Sequence, residues 1–175
     1  PDRLDMHFGR IHLLGQIGDY ESQGKGVASV LDLSRENSNN WKWSDGERLP
    51  AGEDFMLNTM QDYIQNWFQS GTAAGMEAAR FIGEREISLY PDQVFGYNNL
   101  ALYYALDRRY KEALEIFKKG EERFPEDCIV LLNIAYTYLQ LGEKLSAKEY
   151  LNKVIKTEDA EYINTARRLL SNLGE

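Results

Sequence analysis

The chain is short of the residues that usually carry chemistry. Cys128 is its only cysteine, which excludes an internal disulfide and any cysteine-rich metal site. At the start of a helix and without a paired histidine, it reads as a small core residue and not as a nucleophile. The two histidines, His7 and His12, stand five residues apart, a spacing that does not bring two ligands to one helix face, and no HExxH pattern is present. No run approaches the roughly 18 apolar residues of a membrane span, so membrane insertion is not expected. Basic residues are outnumbered, 20 against 28 acidic, for a net charge of −8. A nucleic-acid partner needs a basic stripe and is therefore not expected. Glycines between Gly18 and Gly26 do not make a phosphate loop: their spacing is wrong, and Gly26 stands where such a loop has Ser or Thr. Acid pairs such as Glu121 and Glu122 read as solvated helix faces. No cofactor, metal or catalytic residue is expected.

Apolar residues, by contrast, make up 43% of the sequence and are ordered in helical period. The clearest stretch runs from Val94 to Asp127. It reads Tyr97-x2-Leu100-Ala101-x2-Tyr104, then Ala113-x3-Phe117, Gly120 and Pro125. Ala101 and Ala113 are small enough to let two helices approach closely. Tyr97, Leu100, Tyr104, Leu114 and Phe117 recur at three- and four-residue spacing and fill the seam. Such a helix pair is apolar on both broad faces and needs neighbours.

These residues resemble the tetratricopeptide repeat family, a helix-turn-helix unit of 34 residues. The resemblance implies an all-α fold, a right-handed superhelix of about four helix pairs and a C-terminal capping helix. Pro125 precedes Cys128 by three residues, Pro91 precedes Val94 and Pro1 precedes Leu4, which sets repeats at about 4–37, 57–93, 94–127 and 128–161. The cap is expected over 162–173. A start on a repeat-closing proline suggests further repeats upstream in a longer parent.

In order, helices are expected over Asp5 to Gln16 and Tyr20 to Leu33, with Gly24 and Gly26 kept for close packing on a neighbour. A non-repeat insertion follows over about 38–56. Its Trp41 and Trp43 either fold back onto the first pair or leave a ring accessible to a ligand. Asp54 is the expected N-cap of a helix carrying Met60, Tyr63, Ile64 and Trp67, with Tyr63 and Trp67 in the core. After Gly71 a turn over Thr72-Ala73-Ala74-Gly75 leads to a helix from Met76 to Leu89. The last repeat carries Leu131, Ile134, Ala135, Tyr138, Ala147, Leu151 and Val154, and Tyr162 to Leu173 caps it.

In the family, first helices of successive repeats line a concave groove. Carried over by register, that face is Phe95, Asn98, Asn99, Leu102 and Leu106 in one repeat and Ile129, Leu132, Asn133, Tyr136 and Gln140 in the next. The second repeat adds Gln61, Gln65 and Phe68, and the first His12. Asn99, Asn133 and Arg167 share a repeat position 34 residues apart and are expected to form a ladder. Asn133 and Arg167 also resemble two members of the family's carboxylate clamp, but Leu102 and Ile163 replace its asparagine and lysine. The resemblance thus implies a non-enzymatic scaffold that holds a protein or peptide partner in its groove. The alternative is a ligand site, for example for a glycan, on Trp41 and Trp43. Met6 and Phe8, if left at an uncovered repeat end, offer a route to self-association.

Overall fold

The structure is a computed structural model that describes residues 3–37, 40–42 and 52–174. Among the described residues the regular elements are nine α-helices: α1 (Leu4–Gln16), α2 (Tyr20–Asn37), α3 (Gly52–Ser70), α4 (Ala73–Leu89), α5 (Val94–Leu106), α6 (Tyr110–Arg123), α7 (Cys128–Gln140), α8 (Lys144–Ile155) and α9 (Ala160–Asn172). The fold of the described residues is all-α, built from successive helix pairs. The chain divides into two units, Pro1–Asn99 and Leu100–Glu175, with the boundary inside α5.

In the first unit α2 packs on α1 and α4, and α4 on α3. The core is built from stripes at helical spacing: Leu4 and Ile11 from α1, Val27, Val30 and Leu31 from α2, Met56, Met60, Ile64 and Trp67 from α3, and Ala79 and Ile82 from α4. Close approach demands small residues here. A Cβ added at Gly24 would stand 3.0 Å from Ala78 Cβ, and one at Gly26 would stand 2.9 Å from Ile11 Cγ1. Each glycine costs its helix about 1 kcal/mol in propensity, and tight packing of α2 on α4 and α1 is what offsets that. Trp67 and Tyr63 lie in the core as expected, 0% and 8% exposed. Trp67 Nε1 donates to Gln23 Oε1 at 2.7 Å, and Gln23 Nε2 donates to the Ile11 carbonyl at 3.1 Å. The buried Trp67 indole N–H is thereby satisfied together with a buried amide.

Four expectations are corrected in this unit. The segment assigned to the insertion, 38–56, is helical from Gly52 onward, because Met56 and Leu57 belong to the buried stripe of Met60 and Ile64. Asp54 is accordingly inside α3 and not at its cap. The turn after Gly71 is shorter than the sequence suggests: Thr72 caps α4, its hydroxyl accepting from Gly75 N at 3.1 Å, so Ala73, Ala74 and Gly75 form the first helical turn. Phe8 is not an exposed end residue. It is 9% exposed and meets the ring of Phe55 edge-on at 6.1 Å, whereas Met6 is open to solvent.

In the second unit α7 packs on α6 and α8, and α9 closes on α8. Ala113 and Phe117 of α6, Val130, Leu131, Ile134 and Ala135 of α7, Ala147, Leu151 and Val154 of α8 and Ala166 of α9 are buried. Burying Phe117 alone is worth about 2–3 kcal/mol. Asp127 caps α7 through Val130 N at 2.9 Å, and Asp159 caps α9 through Glu161 N at 3.0 Å. Between α6 and α8, Glu121 accepts from Lys153 at 2.8 Å, Lys118 at 3.1 Å and Tyr150 OH at 2.8 Å, while both ammonium groups sit 4.1 Å from the Tyr150 ring centre.

The turns within three of the helix pairs, α1–α2, α5–α6 and α7–α8, repeat in their backbone. Asp19 N bonds to Leu14 O, Arg109 N to Tyr104 O and Glu143 N to Tyr138 O, each reaching back five residues. The residue before each donor is left-handed: Gly18 at φ 77°, Arg108 at 61° and Gly142 at 78°. This is the helix stop that normally calls for glycine, and the third pair makes it with an arginine.

Candidate functional site

The second unit carries a shallow cleft of about 170 Å³ between the first helices of its pairs. Leu102, Ala105 and Leu106 of α5 form one wall, and Asn133, Tyr136, Thr137 and Gln140 of α7 the other. Tyr110 and Phe117 of α6 complete it. The wall residues recur at three- and four-residue spacing, so a single face of each helix supplies them. Leu106 is 55% exposed and Tyr136 37%, large apolar surfaces held open to solvent. Tyr110 OH donates to Gln140 Oε1 at 3.4 Å, and Thr137 Oγ1 donates to the Asn133 carbonyl at 2.7 Å. No charged side chain lines this cleft. Its chemistry is that of an apolar slot with two side-chain amides on its rim.

The first unit has its own cleft, about 410 Å³, lined by His12 and Gln16 of α1 and by Tyr63, Asn66, Gln69 and Ser70 of α3. His12 Nε2 and Gln16 Nε2 are 3.0 Å apart. Gln65, expected to face a groove, is exposed but does not line it, and Tyr63, Asn66 and Gln69 take its place.

Asn99 sits elsewhere. It is 4% exposed, and its Nδ2 donates to Glu86 Oε2 and to Gln61 Oε1, both at 2.9 Å. Gln61 Nε2 donates in turn to Glu86 Oε1 at 3.0 Å. Glu86, 1% exposed, is held by two neutral amides and no cation. Burial pushes its carboxyl up to about 7, the hydrogen bonds from Asn99 and Gln61 pulling the other way. Asn99 and Gln61 are therefore committed to a buried cluster and do not present an open face. The expected ladder of Asn99, Asn133 and Arg167 is replaced by three different environments: Asn99 in the cluster, Asn133 on the α7 wall, and Arg167 exposed on α9.

Other expected groove residues divide in the same way. Leu102, Asn133 and Tyr136 line the second unit's cleft. Phe68 and Phe95 pack against the first unit's core, and Leu132 is only 8% exposed within the second unit. Asn98 is half-buried, and Ile129 is 41% exposed outside the cleft. Trp41 is 1% exposed and belongs to the core, beside a backbone bridge between Arg3 and Lys42. It offers no ring to a ligand. Trp43 lies outside the described residues. Among the described residues no group of three or more His, Cys, Asp or Glu is placed to hold a metal, and no helix is long and apolar enough to cross a membrane.

Sequence reasoning missed Glu86, Ala105, Tyr110 and Thr137. Glu86 stands four residues after Ile82 and seven after Ala79, in the buried row of α4, and that position was the available signal. Ala105 and Thr137 follow Leu102 and Asn133 by one helical turn. Compared with known families, residues 130–160 match the tetratricopeptide repeat. Comparison with curated proteins gives no match.

Proposed function

We propose that this chain, with its tetratricopeptide repeat at 130–160, is a non-enzymatic protein-interaction module that holds an extended peptide segment in the cleft between α5 and α7. Repeats of this kind generally serve as scaffolds for protein contacts, and the family is typically non-catalytic. One observation carries the finer reading: two exposed apolar side chains, Leu106 and Tyr136, flank a cleft whose polar members, Asn133 and Gln140, are amides. An amide both donates and accepts, which suits the alternating groups of a peptide main chain, while the apolar walls take a side chain. The absence of charge in the lining favours a segment with a neutral, apolar residue at the point of contact.

A tiled array of unrelated peptides tests this. Peptides that bind are expected to be rich in apolar residues, and their affinity is expected to fall by about 30-fold or more in Tyr136→Ala, the size of an aromatic hot spot. Asn133→Ala is expected to weaken the same peptides, while Gln65→Ala on the first unit leaves them unchanged. Full binding by the double variant Asn133→Ala, Tyr136→Ala would remove the cleft from the reading.

A further inference from the structure

Glu86 is the most deeply buried acid described, and three helices meet on it. From α3 the facing side chain is Gln61, and from α5 it is Asn99. The backbones are close at the same point: a Cβ added at Gly96 of α5 would stand 2.8 Å from Glu86 Cβ and 2.7 Å from Ile87 N. The start of α5 thus covers the carboxylate, and lifting it off would return Glu86 to water. No cation answers the charge. Arg85, the next residue on α4, pairs with Asp32 of α2, and the nearby Tyr90 hydroxyl bonds to Ser34. Neither Lys, Arg nor His among the described residues pairs with Glu86.

We propose that Gln61, Glu86 and Asn99 form a proton-controlled clasp that holds the start of α5, Val94–Asn99, on α3 and α4, tight while Glu86 keeps its proton and loosened when it ionises. Two amide donors can hold a carboxylate but cannot neutralise it, so the ionised, covered state carries a desolvation cost that release relieves. The sign follows from proton binding. Covered Glu86 keeps its proton up to about 7, against 4.5 for a free glutamate. Between those values the docked state binds more protons, so rising pH favours release, and outside them the balance is flat. The full span corresponds to a change of about 300-fold in the opening equilibrium.

Hydrogen exchange of the full chain, followed at the Asn98 and Asn99 amides from about pH 5 to about pH 8 and corrected for intrinsic rates, tests the clasp. Protection is expected to fall by about 70-fold over that range in the wild type and to stay level in Glu86→Gln, which keeps the shape without the charge. A level profile in the wild type, or the same fall in Glu86→Gln, overturns the proposal. So does an equal fall at the Ile134 and Ala135 amides of α7, which would mean unfolding of the whole chain. If Glu86→Gln does not fold, the carboxyl carbon resonance of Glu86 in the wild type decides: titration near 7 supports the clasp, and titration near the ordinary 4.5 overturns it.

Discussion

Replacing glycine by alanine at two helical positions of the first unit should give opposite signs. Gly9 lies in α1 with nothing within 4 Å of an added Cβ. Alanine there gains helix propensity without a contact to disturb, a stabilisation of about 0.5–1 kcal/mol. Gly96 lies in the first turn of α5, where the same methyl carbon meets Ile87 N at 2.7 Å, Glu86 Cβ at 2.8 Å and Ile87 Cγ1 at 3.0 Å. A main-chain nitrogen cannot rotate aside, so α5 has to retreat. Overpacking of this kind costs about 1–3 kcal/mol. Asn99 follows one turn later and would be drawn back from Glu86, now 2.9 Å away, weakening a bond to a buried acid worth about 1.5–3 kcal/mol. After the propensity gain, Gly96→Ala should be destabilised by about 2–4 kcal/mol, or roughly 6–12 °C in Tm for a chain of this length. Urea unfolding followed by far-ultraviolet circular dichroism measures both variants against wild type, with a shifted midpoint and an unchanged slope as the sign of a folded-state effect. A Gly96→Ala protein as stable as wild type would refute the close approach of α5 to α4, and a destabilised Gly9→Ala would refute the propensity argument.

Arg108 holds φ at 61° in the turn where its counterparts are Gly18 and Gly142, so Arg108→Gly should stabilise by about 1 kcal/mol, read as a higher urea midpoint. Trp67→Phe removes the 2.7 Å bond to Gln23 Oε1 and leaves a buried acceptor unmet, a loss of about 1–3 kcal/mol that thermal denaturation would register. Should Trp67→Phe prove neutral, the Gln23 bridge to Ile11 carries no net stability. Phe117→Ala empties a site that is 1% exposed and should cost about 3–5 kcal/mol by the same measurement. Retention of full stability in that variant would deny Phe117 its place in the second unit's core.

The helices were legible wherever one stripe faced one core. Leu131, Ile134 and Ala135, with Ala147, Leu151 and Val154, announce α7 and α8 by period alone, and the structure buries all six. Legibility failed where a local signal competed with the period. Gly75 reads as a turn residue, yet it sits inside α4, because Thr72 begins the helix and an added Cβ would press on Trp67 O at 2.9 Å. The site was legible only in part, since a register assigns a residue to a face but not to its neighbour. Leu102, Asn133 and Tyr136 reached the cleft. Asn99, at the same repeat position as Asn133, met an acid on α4 instead, and the 34-residue period contains no trace of that acid. Phe68 and Phe95 likewise turned inward, packing against the buried residues of the first unit.

The placement of the indoles divides the chain optically. All three tryptophans precede Asn99, two of them sealed at 0% and 1% exposure, while the second unit holds tyrosines and phenylalanines but no tryptophan. Fluorescence excited on the red edge therefore reads the first unit and is blind to the second. Introducing Tyr136→Trp in the α7 wall would give the silent half a lamp of its own, one that the peptide proposed for this cleft should shade.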